Sequence, residues 1–108
     1  MTSVTLYRAA DGRLSGFECR GHAGYAQAGS DIVCAAVSVL STTCVNALES
    51  VAGIAPQVFQ QERPATIDVT LPKNLPLDKR HDAQLILRTV AQGFMDVAEQ
   101  YPRYLQIL

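Results

Sequence analysis

Residues 31–50 have the sequence DIVCAAVSVLSTTCVNALES, and this stretch predicts the first helix of the fold. Asp31 is a favoured N-cap residue, because its carboxylate can accept the backbone N–H groups that the first helical turn leaves free. The turns that follow are apolar nearly all round, so we expect the helix to be largely buried. Gly53 is a natural stop signal, and Pro56 makes continuation unfavourable.

A β-hairpin is expected before this helix. Apolar and polar residues alternate over residues 4–7 and 17–20, on either side of the tight-turn dipeptide Asp11-Gly12. Gly21-His22 ends the second strand. The small residues from Ala23 to Ser30 then predict a mobile loop that leads to the helix.

A second hairpin and a second helix are expected after residue 56. Residues 57–62 and 66–71 alternate as strands about an Arg63-Pro64 turn, and apolar residues at helical spacing follow from about Asp78 to Gln100. Residues 104–108 could add a closing strand. The order ββαββα predicts an α+β fold, with two helices on a single mixed or antiparallel sheet. The pattern does not show which faces of the sheet the helices cover.

Composition indicates one domain, residues 1–108, with a modest core. The chain has 108 residues, of which 48% are hydrophobic and 18% charged, enough apolar material for one core and too little charge for disorder. The formal net charge of −1 argues against a strong electrostatic attraction to nucleic acid. The first residues show no basic region followed by an apolar run, and the longest apolar run, Ile32 to Leu40, is soon interrupted by polar residues. We therefore expect neither export nor insertion into a membrane.

The cysteine pattern favours free thiols. Three cysteines, Cys19, Cys34 and Cys44, form no CxxC pair, which argues against a disulfide framework and against a cysteine-rich zinc site. Free thiols suit a reducing compartment, so we expect a cytoplasmic protein. Cys19 and Cys44 are interpreted as core residues, because cysteine is among the most frequently buried residue types.

Cys34 differs in position, because it falls at the third residue of the predicted helix. Unpaired N–H groups and the helix dipole at this end favour a thiolate, so we expect the pKa of Cys34 to lie below its ordinary value. His22 precedes the loop and could fold back to act as a base toward the sulfur. The same N–H groups could hold an oxyanion. Acyl transfer is therefore the predicted chemistry.

Simpler roles exist for the neighbouring polar residues. Asp31 is explained by capping alone, although it could also orient His22. The hydroxyl of Ser38 is expected to bond back to a helix carbonyl. His81 is expected in a solvated turn. A metal site made of His22, Asp31, Cys34 and His81 has no supporting ligand spacing, so we expect neither a metal nor a cofactor.

The segments Gly21-His22-Ala23 and GSDIVCAAVS, residues 29–38, closely resemble the signature of the ribosomal-processing cysteine proteases. The family's catalytic pair falls on His22 and Cys34, its aspartate on Asp31 and its motif serine on Ser38. Gly21, Ala23, Gly24, Gly29 and Ser30 would belong to a loop over the substrate. The resemblance implies a cytoplasmic homodimer that removes an N-terminal extension from a large-subunit ribosomal protein.

Two other functions are compatible with the sequence. One is a non-catalytic module that binds the ribosome or a ribosomal protein, in which Cys34 would be a buried core residue. The other is a thiol-based redox or acyl-carrier role, for which Cys19 is the candidate second thiol. On the protease hypothesis, the loop closes on an extended peptide, Cys34 attacks the scissile carbonyl, and His22 protonates the leaving amine and then activates water.

Overall fold

The sequence folds into two hairpin–helix units and a closing strand in this computed structural model, which describes residues 1–27 and 30–108. The strands and helices lie within a few residues of their predicted positions. In chain order they are β1 (Thr2–Arg8), β2 (Leu14–Arg20), α1 (Ile32–Ser50), β3 (Gln57–Glu62), β4 (Ala65–Thr70), α2 (Leu77–Gln100) and β5 (Leu105–Ile107). The predicted α+β class and element order are confirmed, including the C-terminal strand.

The sheet is mixed, with its five strands in the order β3-β4-β2-β1-β5. Each hairpin pairs antiparallel, and β2 joins them by pairing antiparallel with β4. The closing strand β5 runs parallel to β1. A parallel neighbour requires a long crossover, and α2 supplies it. The N-terminal end of β1 therefore lies between the chain's C-terminal strand and β2.

Both helices pack on the same face of the sheet. The rings of Phe17 on β2 and Phe94 on α2 meet edge to face with their centroids 5.3 Å apart. Cys19 follows Phe17 by two residues on β2, and its sulfur lies 3.5 Å from the hydroxyl of Ser41 on α1. Residues two apart on a strand point to one side, so α1 and α2 share that side. Cys19 and Cys44 are both buried, as predicted.

The expectation that α1 is largely buried is wrong. Its buried residues form one stripe, namely Val33, Val37, Ser41, Cys44 and Leu48. The opposite side is open, and Val39 at its centre is 64% exposed. The sheet and α2 contact one side of the helix only, so the apolar residues around the rest of its circumference remain uncovered.

The expectation that polar residues leave no run long enough to span a bilayer also needs correction. Among the described residues, α1 is long and apolar enough by length and composition alone, with a mean hydropathy of 1.6 over its membrane-length window. The buried stripe of α1 packs into the same core as Phe17 and Val4. Because one stripe of α1 packs against the sheet, length and composition alone are weak evidence that α1 spans a membrane.

Candidate functional site

The carboxylate of Asp31 joins the start of α1 to the loop before it. One oxygen, Oδ1, accepts the backbone N–H groups of Val33 at 3.0 Å and Cys34 at 2.9 Å. The other, Oδ2, accepts those of Tyr25 at 3.0 Å and Ala26 at 3.4 Å. These bonds lower the pKa of Asp31, chiefly the one from Cys34, while burial opposes them. The predicted N-cap is confirmed, and it also holds the loop.

Cys34 lies at the third residue of α1, as predicted. It is partly exposed, whereas Cys19 and Cys44 are buried. Its sulfur accepts a hydrogen bond from the backbone N–H of Ala23, with 3.4 Å between nitrogen and sulfur. Cys34 is thus the thiol that an incoming molecule could reach, and the interpretation of Cys34 as a buried core residue is excluded.

The expected lowering of the Cys34 pKa is not found. Burial is the largest cause that raises the pKa of this thiol, and the bond from Ala23 N–H opposes it. The carboxylate of Asp31 raises the pKa further, because it can accept the S–H proton and repels a thiolate. The prediction considered the helix dipole and overlooked that the N-cap itself carries a negative charge.

The helix N–H groups expected to hold an oxyanion are already bonded. Those of Val33 and Cys34 donate to the Asp31 side chain, and that of Ala35 donates to the Asp31 carbonyl at 3.0 Å. A cap that satisfies the first turn leaves few donors for a ligand. The N–H groups of these three residues are therefore not available to an oxyanion in the present arrangement.

His22 follows β2 directly and is exposed. Its neighbour Gly21 is held on both sides, because its N–H donates to the Ala65 carbonyl at 2.8 Å and its carbonyl accepts the Thr2 hydroxyl at 3.2 Å. Among the described residues, the imidazole forms no hydrogen bond with the Cys34 thiol. The two residues instead face a common cavity. Catalytic hydrogen bonds often form only when substrate is bound, so this geometry is compatible with a catalytic pair.

The cavity has a volume of about 690 Å³ and lies between α1 and the β3–β4 hairpin. His22, Asp31, Cys34 and Ser38 line it, together with Gly21 and Gly24. The hairpin contributes a wall that the sequence did not indicate: Gln60, Gln61, Ala65, Thr66 and Ile67. These residues come near Cys34 through the pairing of β4 with β2. No local pattern signals such long-range pairing.

Tyr25 anchors the loop at its other side. Its ring meets those of Tyr101 and Tyr104 edge to face, with centroids 5.6 Å and 5.2 Å apart. Such pairs are favourable beyond the area that they bury. Beyond them, Ser30 N–H donates to the Gln27 carbonyl at 2.9 Å. The described part of the loop is thus attached to both α1 and the C-terminal segment.

Other predictions at this site have mixed outcomes. Ser38 is exposed and lines the cavity, and among the described residues its hydroxyl makes no bond to a helix carbonyl. A hydrogen bond of this kind is made instead by Ser41, whose hydroxyl donates to the Val37 carbonyl at 2.8 Å. His81 lies on α2, exposed and away from the described cavity lining. Gly29, predicted in the loop, lies outside the described residues.

Comparison with known proteins identifies the kind of protein that this site resembles. The sequence profile of a family described as cysteine protease Prp matches residues 1–106. The ribosomal processing cysteine protease Prp of Bacillus subtilis is 29% identical over 107 residues, which cover 99% of this chain and 96% of that protein. The match therefore includes the site and nearly the whole chain.

Solved structures share the fold over nearly the whole chain. A Streptococcus mutans protein, SMU.848, is 32% identical with a TM-score of 0.85, and the match covers 99% of this chain and 91% of that one. A ribosomal processing protease Prp from S. aureus, in complex with a covalently linked product peptide, has a TM-score of 0.87 at 23% identity, covering 99% and 97% of the two chains.

Replacing Asp31 by asparagine tests the effect of its charge on the thiol. The new side chain would still cap the helix through its oxygen, because asparagine is about as good an N-cap as aspartate. Its amide nitrogen cannot accept the N–H groups of Tyr25 and Ala26, so those two bonds to the loop are lost together with the charge. The variant Asp31→Asn should lower the pKa of Cys34, since the carboxylate that raises it is gone. We expect severalfold faster alkylation by iodoacetamide at pH 7, with the whole pH–rate profile moved to lower pH. Asp11→Asn, at an exposed aspartate on the β1–β2 turn, is the control; an unmoved profile in Asp31→Asn would contradict this account.

Replacing Gly21 by alanine tests the anchoring of His22. Gly21 has φ +89°, and an added Cβ would lie 2.8 Å from the Met1 carbonyl oxygen. Gly12 has nearly the same φ, +87°, with nothing within 4 Å of an added Cβ. Both Gly→Ala variants should lose about 1–2 kcal/mol to the left-handed backbone, and Gly21→Ala about 1–3 kcal/mol more from crowding. Urea denaturation measures the difference, and equal losses would show that the contact with Met1 is unimportant.

Proposed function

The chain belongs to the cysteine protease Prp family, and from this premise we propose that it removes the N-terminal extension of a large-subunit ribosomal protein. That the protein is a cysteine protease follows from the family. The choice of substrate rests on the ribosomal processing named for the Bacillus subtilis relative. A structural neighbour from S. aureus is described in complex with a substrate peptide, which supports a peptide as the molecule that enters the cavity.

Cys34 is the proposed nucleophile and His22 the proposed general base and acid. The observation that carries this assignment is that the one partly exposed thiol of the three cysteines shares a cavity with an exposed histidine. His22 comes close to the sulfur when a peptide fills the space between α1 and the hairpin. Asp31 orders both the helix start and the loop, and has no direct part in the chemistry.

The reaction proceeds in two halves. His22 takes the thiol proton as the sulfur of Cys34 attacks the scissile carbonyl carbon, and the resulting intermediate collapses as the imidazolium protonates the leaving amine. The leaving amine is the new N-terminus of the shortened protein, and the extension stays on Cys34 as a thioester. His22 then removes a proton from water, which attacks the thioester and releases the extension as a carboxylic acid. The thiol regains its proton. Since the resting thiol has a raised pKa, proton transfer to His22 accompanies the approach of the substrate.

A redox role for the thiols is less well supported. Cys19, the candidate second thiol, is buried, and burial raises its pKa to about 11. A resolving thiol must form a thiolate and reach its partner. A purely binding role is disfavoured by membership in a protease family.

The cytoplasm remains the proposed location, because the three cysteines are free and the proposed substrate belongs to the ribosome.

We also propose a homodimer formed through the open side of α1. Residues 32–48 contain no charged side chain, so two copies of this surface can meet without repulsion between like charges. Val39 is 64% exposed at its centre, and Ile32 is 50% exposed near the cavity. The other exposed residues of this side are small or uncharged: Ala35, Ser38, Thr42, Thr43 and Asn46. A second copy is the chosen occupant, because an uncharged surface with exposed apolar side chains can complement itself.

The protease assignment is tested with the extended ribosomal protein of the host and intact-mass analysis. We expect one internal cleavage by the wild type, no cleavage by Cys34→Ala, and at least about 10²-fold slower cleavage by His22→Ala. Cys44→Ala and His81→Ala are the matched controls, a core thiol and an exposed histidine on α2. A folded wild type that leaves a soluble substrate intact would refute the proposed substrate, and cleavage by Cys34→Ala would refute the nucleophile.

The dimer is tested by light scattering during size-exclusion chromatography. The wild type should have twice the chain mass of 11.7 kDa, and Val39→Asp should have the mass of one chain, because an unpaired charge is costly in an apolar interface. Leu85→Asp introduces the same charge at an exposed leucine on α2 and should leave the mass unchanged. A monomeric wild type, or a dimer that survives Val39→Asp, would exclude this surface.

A further inference from the structure

We propose that the backbone N–H of Ala23 is the oxyanion donor of the site. The inference rests on the proposed function, because it assumes that Cys34 attacks a carbonyl. It assigns a catalytic group that lies on the loop after β2 and outside the helix to which the sequence pointed. Three observations support the proposal. This N–H points at the sulfur of Cys34, neighbouring N–H groups already donate to Asp31, and the position of Ala23 is fixed by the contacts around it.

The N–H of Ala23 donates to the Cys34 sulfur across 3.4 Å. When the sulfur bonds to a carbonyl carbon, the oxygen of that carbonyl becomes a direct neighbour of the sulfur. A donor that already contacts the sulfur needs only a small shift to contact the oxygen, where the negative charge then accumulates. Donors fixed beside the developing charge are the strongest single aid to acyl transfer.

Four other described N–H groups of the loop and the helix start are engaged elsewhere. Those of Val33 and Cys34 donate to Asp31 Oδ1, and those of Tyr25 and Ala26 to Oδ2. Releasing them would leave a buried carboxylate with unsatisfied oxygens, which is costly. The bond from Ala23 to sulfur is weaker than these charge-assisted bonds. It is therefore the one most easily exchanged for a bond to an oxyanion.

The position of Ala23 is fixed from both directions. Its methyl group is buried, with 2% of the residue exposed. Gly21, two residues earlier, is bonded to Ala65 and Thr2. Tyr25, two residues later, packs against Tyr101 and Tyr104. A donor held in this way requires little reorganisation when charge develops, which is the condition for effective electrostatic catalysis.

An ester in place of the peptide bond at Ala23 tests the proposal directly. The chain is assembled chemically by ligation at its own cysteines, with lactic acid in place of Ala23, so that oxygen replaces the N–H and the methyl group stays. The control carries lactic acid in place of Ala55, an exposed alanine between α1 and β3. Among the described residues, neither the N–H of Ala55 nor the preceding carbonyl has a hydrogen-bond partner. Circular dichroism confirms that each product is folded.

Two rates are compared in each protein: kcat for a peptide that spans the cleavage site, and alkylation of Cys34 by iodoacetamide across pH. Alkylation creates no oxyanion, so it reports the sulfur alone. We expect the ester at residue 23 to lower kcat by about 10²-fold or more, with a much smaller change in alkylation and none in the control. A loss of kcat no greater than the loss of alkylation would overturn the proposal. Inactivity of the synthetic wild type would instead refute the proposed function on which it rests.

Discussion

The four backbone hydrogen bonds accepted by the Asp31 carboxylate are the contacts on which the site depends. Two come from the first turn of α1 and two from the loop after β2. A helix N-terminus and an irregular loop both contain N–H groups without backbone partners, and one buried carboxylate satisfies both. Cys34 and Ala23 belong to the two segments joined in this way. Their contact therefore depends on the N-cap residue of α1.

The charge of Asp31 has a cost for the chemistry. It orders the segments around Cys34, but it also favours the thiol over the thiolate. The N–H of Ala23 acts in the opposite direction, because it donates to the sulfur. The resting site therefore contains a reachable sulfur in its less reactive form. Proton transfer to His22 on substrate binding then becomes the step that activates the sulfur of Cys34. Before substrate binds, the protonated thiol reacts more slowly with alkylating agents and oxidants than a thiolate would.

Much of the fold followed from local sequence patterns, and the site followed in part. The alternation in the two hairpins, the Asp31 cap and the helical spacing up to Gln100 are local signals, and each element appears where they predict it. The Gln60 and Thr66 wall and the Tyr25 contact with Tyr104 depend on segments far apart in the chain. These contacts form only when the strands take their order in the sheet and the helices take their places on it. A short stretch of one sequence does not show that arrangement.

The errors about α1 share one physical origin. The sequence shows that its residues are apolar and that its first N–H groups are unpaired, but not what each group meets. The expectation that α1 is largely buried is wrong because only one stripe of the helix is covered. Oxyanion binding by its N–H groups fails because Asp31 already accepts them. An N-cap carboxylate and an oxyanion compete for the same donors, so the N–H groups of Val33 and Cys34 that Asp31 accepts are not available to an oxyanion. The loop after β2 contacts the nucleophile through the backbone N–H of Ala23.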